Sequence, residues 1–357
     1  MPRKKETEPN GSGTKAWFSS LELQPGSKVA IVMHDSPDPD AIGAALCVQW
    51  IMKRKFQAES ALFHGGSVSH PQNRTMVNLL NVDLKRASAL AEEQAEYDLK
   101  LVVDATPSTW CRTGELEIEL DAYFDHHPKA DVPKGWKGHA DFRAVGSSCA
   151  IMWAVMQELG LEFEEGNEED SAVATAMVVG VRIDTDEASS DDTTETDLEA
   201  IAALHPFVIQ KTLREIIRYP IPKYYYDLRH RAQEAAQVRD NVLVAGVGFL
   251  SQESRDALAW VADDLSRRDS VDTCVVFGVI NDQITGVVRC SNPSLQLNAF
   301  IEQVFGPSTG GGKRGKAAAS APLGPFFGVY SDVTKGALWQ AVTGIIAERV
   351  FHAASGE

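Results

Sequence analysis

Three short apolar runs each stop directly on a side chain of metal-ligand type, and this constrains the fold more than any bulk property of the chain. Lys28 to Met33 (KVAIVM) leads into His34, Leu101 to Val103 (LVV) into Asp104, and Asp121 to Phe124 (DAYF) into Asp125. Short continuous apolar runs read as strands buried on both faces. Between them lie helical patterns at Asp40 to Arg54, Arg74 to Leu80 and Ala87 to Glu96. Strands alternating with helices predict an α/β domain, a mainly parallel sheet flanked by helices. Ligands in such sheets sit beyond the carboxyl ends of the strands, where these Asp and His residues fall.

A second unit follows. Pro206, Pro220 and Pro222 precede a polar helical pattern from Tyr224 to Arg239. The segments Val242 to Leu250, Thr273 to Ile280 and Ile284 to Arg289 read as strands. Ser254 to Leu265, Leu295 to Val304 and the region near 333–354 read as helices. The expected organisation is a disordered tail at 1–16, a first α/β domain at 17–205, a helical linker at 206–239 and a smaller C-terminal α/β domain at 240–357.

Of the 357 residues, 44% are hydrophobic and 24% charged, which suits a folded core. The net charge of −16 is unsuited to gripping long duplex nucleic acid through many phosphates. It leaves room for a small anion, because a bound cation reverses the local sign. The five cysteines (Cys47, Cys111, Cys149, Cys274, Cys290) are odd in number and form no CxxC pair, so they read as free thiols. The N-terminus, MPRKKETEPNGSGTK, lacks the apolar core of a signal peptide, and no apolar run is long enough to span a bilayer. A cytoplasmic protein with no membrane partner is the expectation.

Four elements carry chemistry. The first is His34-Asp35-Ser36-Pro37-Asp38-Pro39-Asp40, where two prolines stiffen a loop in which His34, Asp38 and Asp40 offer one imidazole and two carboxylates. Taken alone, Asp38 or Asp40 reads as a helix cap. The second is Asp104. The third is Asp125-His126-His127-Pro128; adjacent histidines point in different directions, so one can bind metal while the other faces substrate. The fourth is Gly180-Val181-Arg182-Ile183-Asp184-Thr185-Asp186, after the apolar pattern Ala172 to Val179. Carboxylates with imidazoles and no thiolates suit manganese or a similar divalent ion. Gly146-Ser147-Ser148 opens another apolar helix, where Ser147 is either its N-cap or a phosphate contact.

In this order, the four elements resemble the DHH phosphoesterase family, named for the triplet seen here as Asp125-His126-His127. The resemblance implies two divalent metal ions, usually Mn2+, with Mg2+ or Co2+ as alternatives. His34, Asp38 and Asp104 would hold one ion; Asp40, Asp104, His126 and Asp184 would hold the other. Asp104 would be the bridge, His127 would face the phosphate, and Asp125 would support the histidines.

Residues 310–320 read GGGKRGKAAAS. Gly310 to Lys316 fits the start of a P-loop, but Ala317 stands where that motif needs Ser or Thr, which disfavours a nucleoside triphosphatase. The segment is similar to the GGGH-x-x-AAG loop of the DHHA1 domain found in nanoRNase-like and RecJ-like relatives, with Lys313 at the His position. This resemblance implies a DHHA1-like substrate-binding domain, placed across a cleft from the metal domain. Gly311, Gly312, Lys313, Arg314, Lys316 and Arg289 would then meet substrate, beside His127 and Ser147. The reaction expected is hydrolysis of phosphoester bonds in pAp, linear or cyclic dinucleotides, or short single-stranded RNA. A homodimer is compatible with this reading. The alternatives are an inorganic pyrophosphatase or polyphosphatase, and a metal-dependent nucleotide-binding regulator without turnover.

Overall fold

The computed structural model describes residues 13–106, 118–127, 132, 136–313, 315–326, 328 and 331–355. The chain divides into two compact units, Met1–Pro220 and Ile221–Glu357.

The first unit is built on a six-stranded sheet. Its strands are β1 (Lys28–Met33), β2 (Glu59–His64), β3 (Leu84–Arg86), β4 (Leu99–Val103), β5 (Ala122–Asp125) and β6 (His139–Phe142). Every pairing is parallel, in the order β3-β2-β1-β4-β5-β6. The strand order reverses between β1 and β4, which makes their carboxyl ends a topological switch point. Successive side chains of β1 serve opposite faces. Val29, Ile31 and Met33 enter one core, and Ala30 and Val32 enter the other. The helices are α1 (Thr14–Ser20), α2 (Pro39–Phe56), α3 (Pro71–Leu79), α4 (Ala87–Glu93), α5 (Ser148–Leu159), α6 (Glu168–Asp184), α7 (Glu195–Leu204) and α8 (Gln210–Ile217).

The larger core lies between the sheet and α2, α5 and α6. Two glycines let these helices approach closely. A Cβ on Gly43 of α2 would lie 2.7 Å from Cys149 Sγ and 2.8 Å from the Ala176 carbonyl. A Cβ on Gly180 of α6 would lie 2.6 Å from Cys149 Sγ and 2.9 Å from the Cα of Asp40. Far from that contact, buried Asp170 ties α6 to α2: the Trp50 indole donates to it at 2.7 Å, Arg54 at 3.1 Å, and the Glu164 amide at 2.7 Å.

Two expected boundaries differ from the structure. Thr14 to Ala16, assigned to the tail, open α1; Thr14 is buried and donates to Asp141 at 2.6 Å, while Trp17 stacks on His139. The stacking and the buried hydroxyl bond draw this polar stretch onto the domain; residues 1–12 lie outside the described residues. The expected linker at 206–239 belongs to both units. Helix α8 packs on α3 and α6, and α9 (Lys223–Ala235) packs on elements of the second unit. The amphipathic pattern of each helix buries it against its own neighbours.

The second unit holds β7 (Gln237–Arg239), β8 (Val242–Leu250), β9 (Thr273–Ile280), β10 (Gln283–Cys290), β11 (Gly310–Lys313) and β12 (Lys316–Pro322). The order is β11-β12-β10-β9-β8-β7, with only the β8–β9 pair parallel. Helices α9 and α10 (Arg255–Leu265) cover one face; α11 (Leu297–Phe305) and α12 (Asp332–Ser355) cover the other. The glycine-rich segment, expected as a loop, is an edge strand. A Cβ on Gly310 or Gly312 would strike the backbone of β12, and Gly315 takes φ +74 in the two-residue connection, so the glycines permit a tight hairpin. No helix among the described residues is long and apolar enough to cross a membrane.

The helix contact and the buried carboxylate each yield an expectation. Gly180→Ala should destabilise the protein by about 1–3 kcal/mol, as overpacking does, in a urea titration; an unchanged midpoint would mean that the α2–α6 contact is looser than described. Burial alone would raise the Asp170 pKa, but the Glu164 amide, the Trp50 indole and the Arg54 guanidinium outweigh it and hold the carboxyl below its ordinary value. Its contribution is therefore full above the unfolded aspartate range, near about 3.9, and lost as pH falls through the lower folded value. Asp170→Asn should cost about 2–3 kcal/mol at pH 7 and less at pH 3. An equal loss at both pH values would contradict this assignment.

Candidate metal centre

The ligand-type residues occupy positions fixed by backbone geometry. Strand β1 ends one residue before His34, β4 one before Asp104, and β5 on Asp125, directly before His126 and His127. These three strands are adjacent around the switch point, so their ends converge. Helix α2 begins in the same place. Asp38 is its N-cap, its carboxylate accepting from the amides of Asp40 and Ala41 at 3.0 Å. Helix α6 ends on Asp184, so its last residue joins the cluster.

Three groups result, each with ligand atoms lying within 4.8 Å of one another. They are His34, Asp38 and Asp104; Asp40, His126 and Asp184; and Asp104, Asp125, His126 and His127. Asp104 connects them. Its carboxylate lies 3.5 Å from His34 Nε2 and 3.5 Å from His126 Nε2. His126 Nε2 lies 3.0 Å from Asp184. Asp104 reaches this position with φ +55, in the left-handed region, while its amide still donates to Phe124 at 2.8 Å. A non-glycine residue there stores strain, which is found at functional sites.

Surrounding groups fix the orientation of these side chains. Asp40 is fully buried, and its two oxygens accept from the amides of Ser148 and Cys149, at 2.6 and 2.9 Å. It thus caps the N-terminus of α5 while α2 carries it. The Ser148 hydroxyl donates to Asp104 at 3.0 Å. His126 Nδ1 lies 3.3 Å from the Val145 carbonyl, which sets its proton on Nδ1 and turns Nε2 toward the carboxylates. His127 Nδ1 lies 2.6 Å from buried Asp125, so Asp125 supports His127 rather than His126. The Ser36 amide donates to His34 Nδ1 at 3.3 Å; ligation through Nε2 would move the ring proton to Nδ1.

Electrostatics favour a cation here. Asp38, Asp40, Asp104 and Asp184 crowd together. Burial and the neighbouring carboxylates of Asp104 and Asp184 push the Asp38 carboxyl up to about 6, and the same causes raise Asp40 well above its ordinary range. Burial would also raise Asp104, but His126 and His34 outweigh it and hold that group ionised. His126 is moved the opposite way. Burial opposes its charge, but Asp104 and Asp184 push it up to about 12. Its Nε2 is nevertheless buried without a hydrogen bond of good geometry. Hard oxygen donors, imidazole nitrogens and an orphaned buried ring nitrogen all fit a bound divalent ion.

The sequence-predicted residues fall into separate places. His34, Asp38, Asp40, Asp104, His126 and Asp184 gather at the switch point, with Asp125 and His127 beside them. Ser147, expected to touch substrate, is fully buried; it caps α5 through the Ala150 amide and donates to Asp197 at 3.0 Å. Its neighbour Ser148 faces the cluster instead, a distinction the Gly-Ser-Ser step alone does not make. Arg289, Gly311, Gly312 and Lys316 lie in the second unit, where Arg289 pairs with Asp263. Lys313 ends β11, and Arg314 and Pro128 lie outside the described residues. Sequence reasoning missed Ser148, the Val145 carbonyl and Asp197, which anchors Gly146, Ser147 and Thr194.

Known proteins are similar to this chain in sequence and in fold. Residues 28–181 match the DHH family, N-terminal domain. An uncharacterized protein of Methanocaldococcus jannaschii is 30% identical over 314 residues, 87% of this chain and 61% of that one. A probable manganese-dependent inorganic pyrophosphatase of Enterococcus faecalis is 25% identical over 179 residues, 50% of this chain and 54% of that one. The chain thus spans little more than half the length of these curated relatives. The crystal structure of an exopolyphosphatase-related protein from Bacteroides fragilis has the same fold, with a TM-score of 0.66 at 12% identity, covering 94% of this chain and 97% of that one. With ligand-type residues at the ends of β1, β4 and β5, the chain matches the DHH family, N-terminal domain, over residues 28–181.

Proposed function

We propose that this protein hydrolyses phosphoester bonds of small nucleotides at a two-metal centre whose shared ligand is Asp104. The observation that carries the reading is the pair of ligand groups, His34–Asp38–Asp104 and Asp40–His126–Asp184, joined by the two 3.5 Å approaches of Asp104. Two bound divalent ions, manganese by donor type, supply Lewis acidity at the phosphoryl oxygens and lower the pKa of an attacking water.

The chain's own residues do the rest. Asp104 is held ionised, fixed by Ser148 and by its strained backbone. Asp40 is fixed by two backbone amides and His126 by the Val145 carbonyl, so neither reorganises when charge develops. Asp125 holds His127 through Nδ1, which leaves Nε2 as the ring atom offered to a phosphate oxygen; the ring is 37% exposed, enough for substrate to reach it.

The nucleotide reading draws on the resemblance of the glycine-rich segment 310–320 to a substrate-binding loop; in the second unit Arg289 and Lys316 are cross-strand neighbours on β10 and β12, and Arg289 is paired with Asp263. Inorganic pyrophosphate is the second reading, favoured by the named pyrophosphatase relatives, which match about half of the chain. A panel of pAp, pApA, cyclic di-AMP, a short single-stranded RNA and pyrophosphate, each with manganese and with magnesium, separates them. Cleavage of a nucleotide at a higher kcat/KM than pyrophosphate is expected, and the reverse ranking would move the assignment to pyrophosphate.

Asp104→Asn should lower turnover by about 10³-fold or more, since several kcal/mol of charge stabilisation depend on the metals it joins. Near-parental turnover in that variant would remove Asp104 from its bridging role. Ser148→Ala, which leaves every ligand in place, should weaken manganese binding or activity by about 10- to 100-fold. Unchanged values would reduce Ser148 to a packing residue.

A further inference from the structure

The segment after β2 reads His64-Gly-Gly-Ser-Val-Ser-His-Pro-Gln-Asn73, and its polar groups point back at the first metal loop. That loop, residues 34–37, lies between β1 and Asp38, the N-cap of α2, and belongs to no helix or strand. Its backbone is held from outside. The Ser67 amide donates to the Asp35 carbonyl at 2.7 Å, and a Cβ on Gly66 would lie 2.3 Å from that same oxygen, so glycine is required for the approach. The side-chain amide of Asn73, in the first turn of α3, donates to the Pro37 carbonyl at 2.9 Å. Asn73 is only 7% exposed, so water offers the Pro37 carbonyl little replacement for this bond.

The Pro37 carbonyl belongs to the peptide that leads into Asp38. Fixing that peptide plane fixes where the Asp38 backbone starts, and Pro37 and Pro39 restrict the torsions on either side. His34, three residues earlier, shares the same short loop. We propose that Asn73 is a positioning residue for the His34–Asp38–Asp104 group, acting through the Pro37 carbonyl and touching neither metal nor substrate. The other ligand group does not depend on it. Asp40 is held by the N-terminus of α5, His126 by Val145 and Asp184 by α6. Loss of Asn73 therefore weakens one ion position and spares the other. This inference rests on the two-metal reading above.

A neighbour on the same turn supplies the control. Gln72 is equally buried, at 7% exposure, but donates to the Ile216 carbonyl of α8 at 3.4 Å, away from the loop. Its loss would loosen α3 without releasing Pro37.

The test is calorimetric titration of manganese into the chelator-stripped full chain, with thermal melting alongside, for the parent, Asn73→Ala, Asn73→Asp and Gln72→Ala. Asn73→Asp keeps the shape of the side chain and removes the donor. The parent should bind two ions. Both Asn73 variants should raise the Kd of one ion by about 10- to 100-fold and leave the other within about twofold. Excess manganese should restore turnover, because the defect lies in occupancy. Gln72→Ala should lower the melting temperature without splitting the two affinities. Equal weakening of both ions, or the same split in Gln72→Ala, would make Asn73 an ordinary packing residue. Two ions bound normally in both Asn73 variants would overturn the inference alone. A parent that binds no manganese would overturn the metal centre and this inference together.

Discussion

One carboxylate organises the first unit. Asp104 follows a buried strand, turns into a left-handed backbone conformation and lies between two imidazoles. A lone carboxylate at 3% exposure would be pushed toward its neutral form. Here His34 and His126 keep it ionised, at the cost of crowding it with three further aspartates. The raised Asp38 and Asp40 show the same tension from the other side. Positive charge of the right size relieves all of these at once, which is why the fold makes chemical sense as a cation site and little sense as a structural ion-pair network.

The fold delivers this arrangement through ordinary packing rules. A sheet of order β3-β2-β1-β4-β5-β6 places the ends of β1, β4 and β5 side by side. The start of α2 and the end of α6 are drawn to the same spot because Gly43 and Gly180 let those helices approach. Asp40 then meets the N-terminus of α5, where its charge is favourable and its orientation has no freedom. The geometry of the cluster and core packing are therefore coupled, and a volume change deep between α2 and α6 reaches the clustered carboxylates.

Much of this could be read from residues alone. The runs KVAIVM, LVV and DAYF form strands whose ends carry the clustered Asp and His residues, and β8 and β9 occupy the segments expected, because continuous β-branched runs leave few alternatives. Hydrogen-bond partners distant in sequence were not legible. Nothing in Gly146-Ser147-Ser148 says which serine faces the cluster; that depends on the helix phase set by Asp40 and Asp197. The glycines of 310–312 read as a loop because their strand role lies in contacts with β12, not in propensity. Likewise Asn73 looks like one polar residue at a helix start until the Pro37 carbonyl is seen against it.

The central claim is a pair of cations close enough to share Asp104. Electron paramagnetic resonance of the manganese-loaded protein tests this directly, because two ions joined by a common ligand couple magnetically. The account predicts a spin-coupled signal at two equivalents of manganese, with Asp104→Asn giving only isolated-ion spectra. Isolated-ion spectra from the parent at saturation would contradict it.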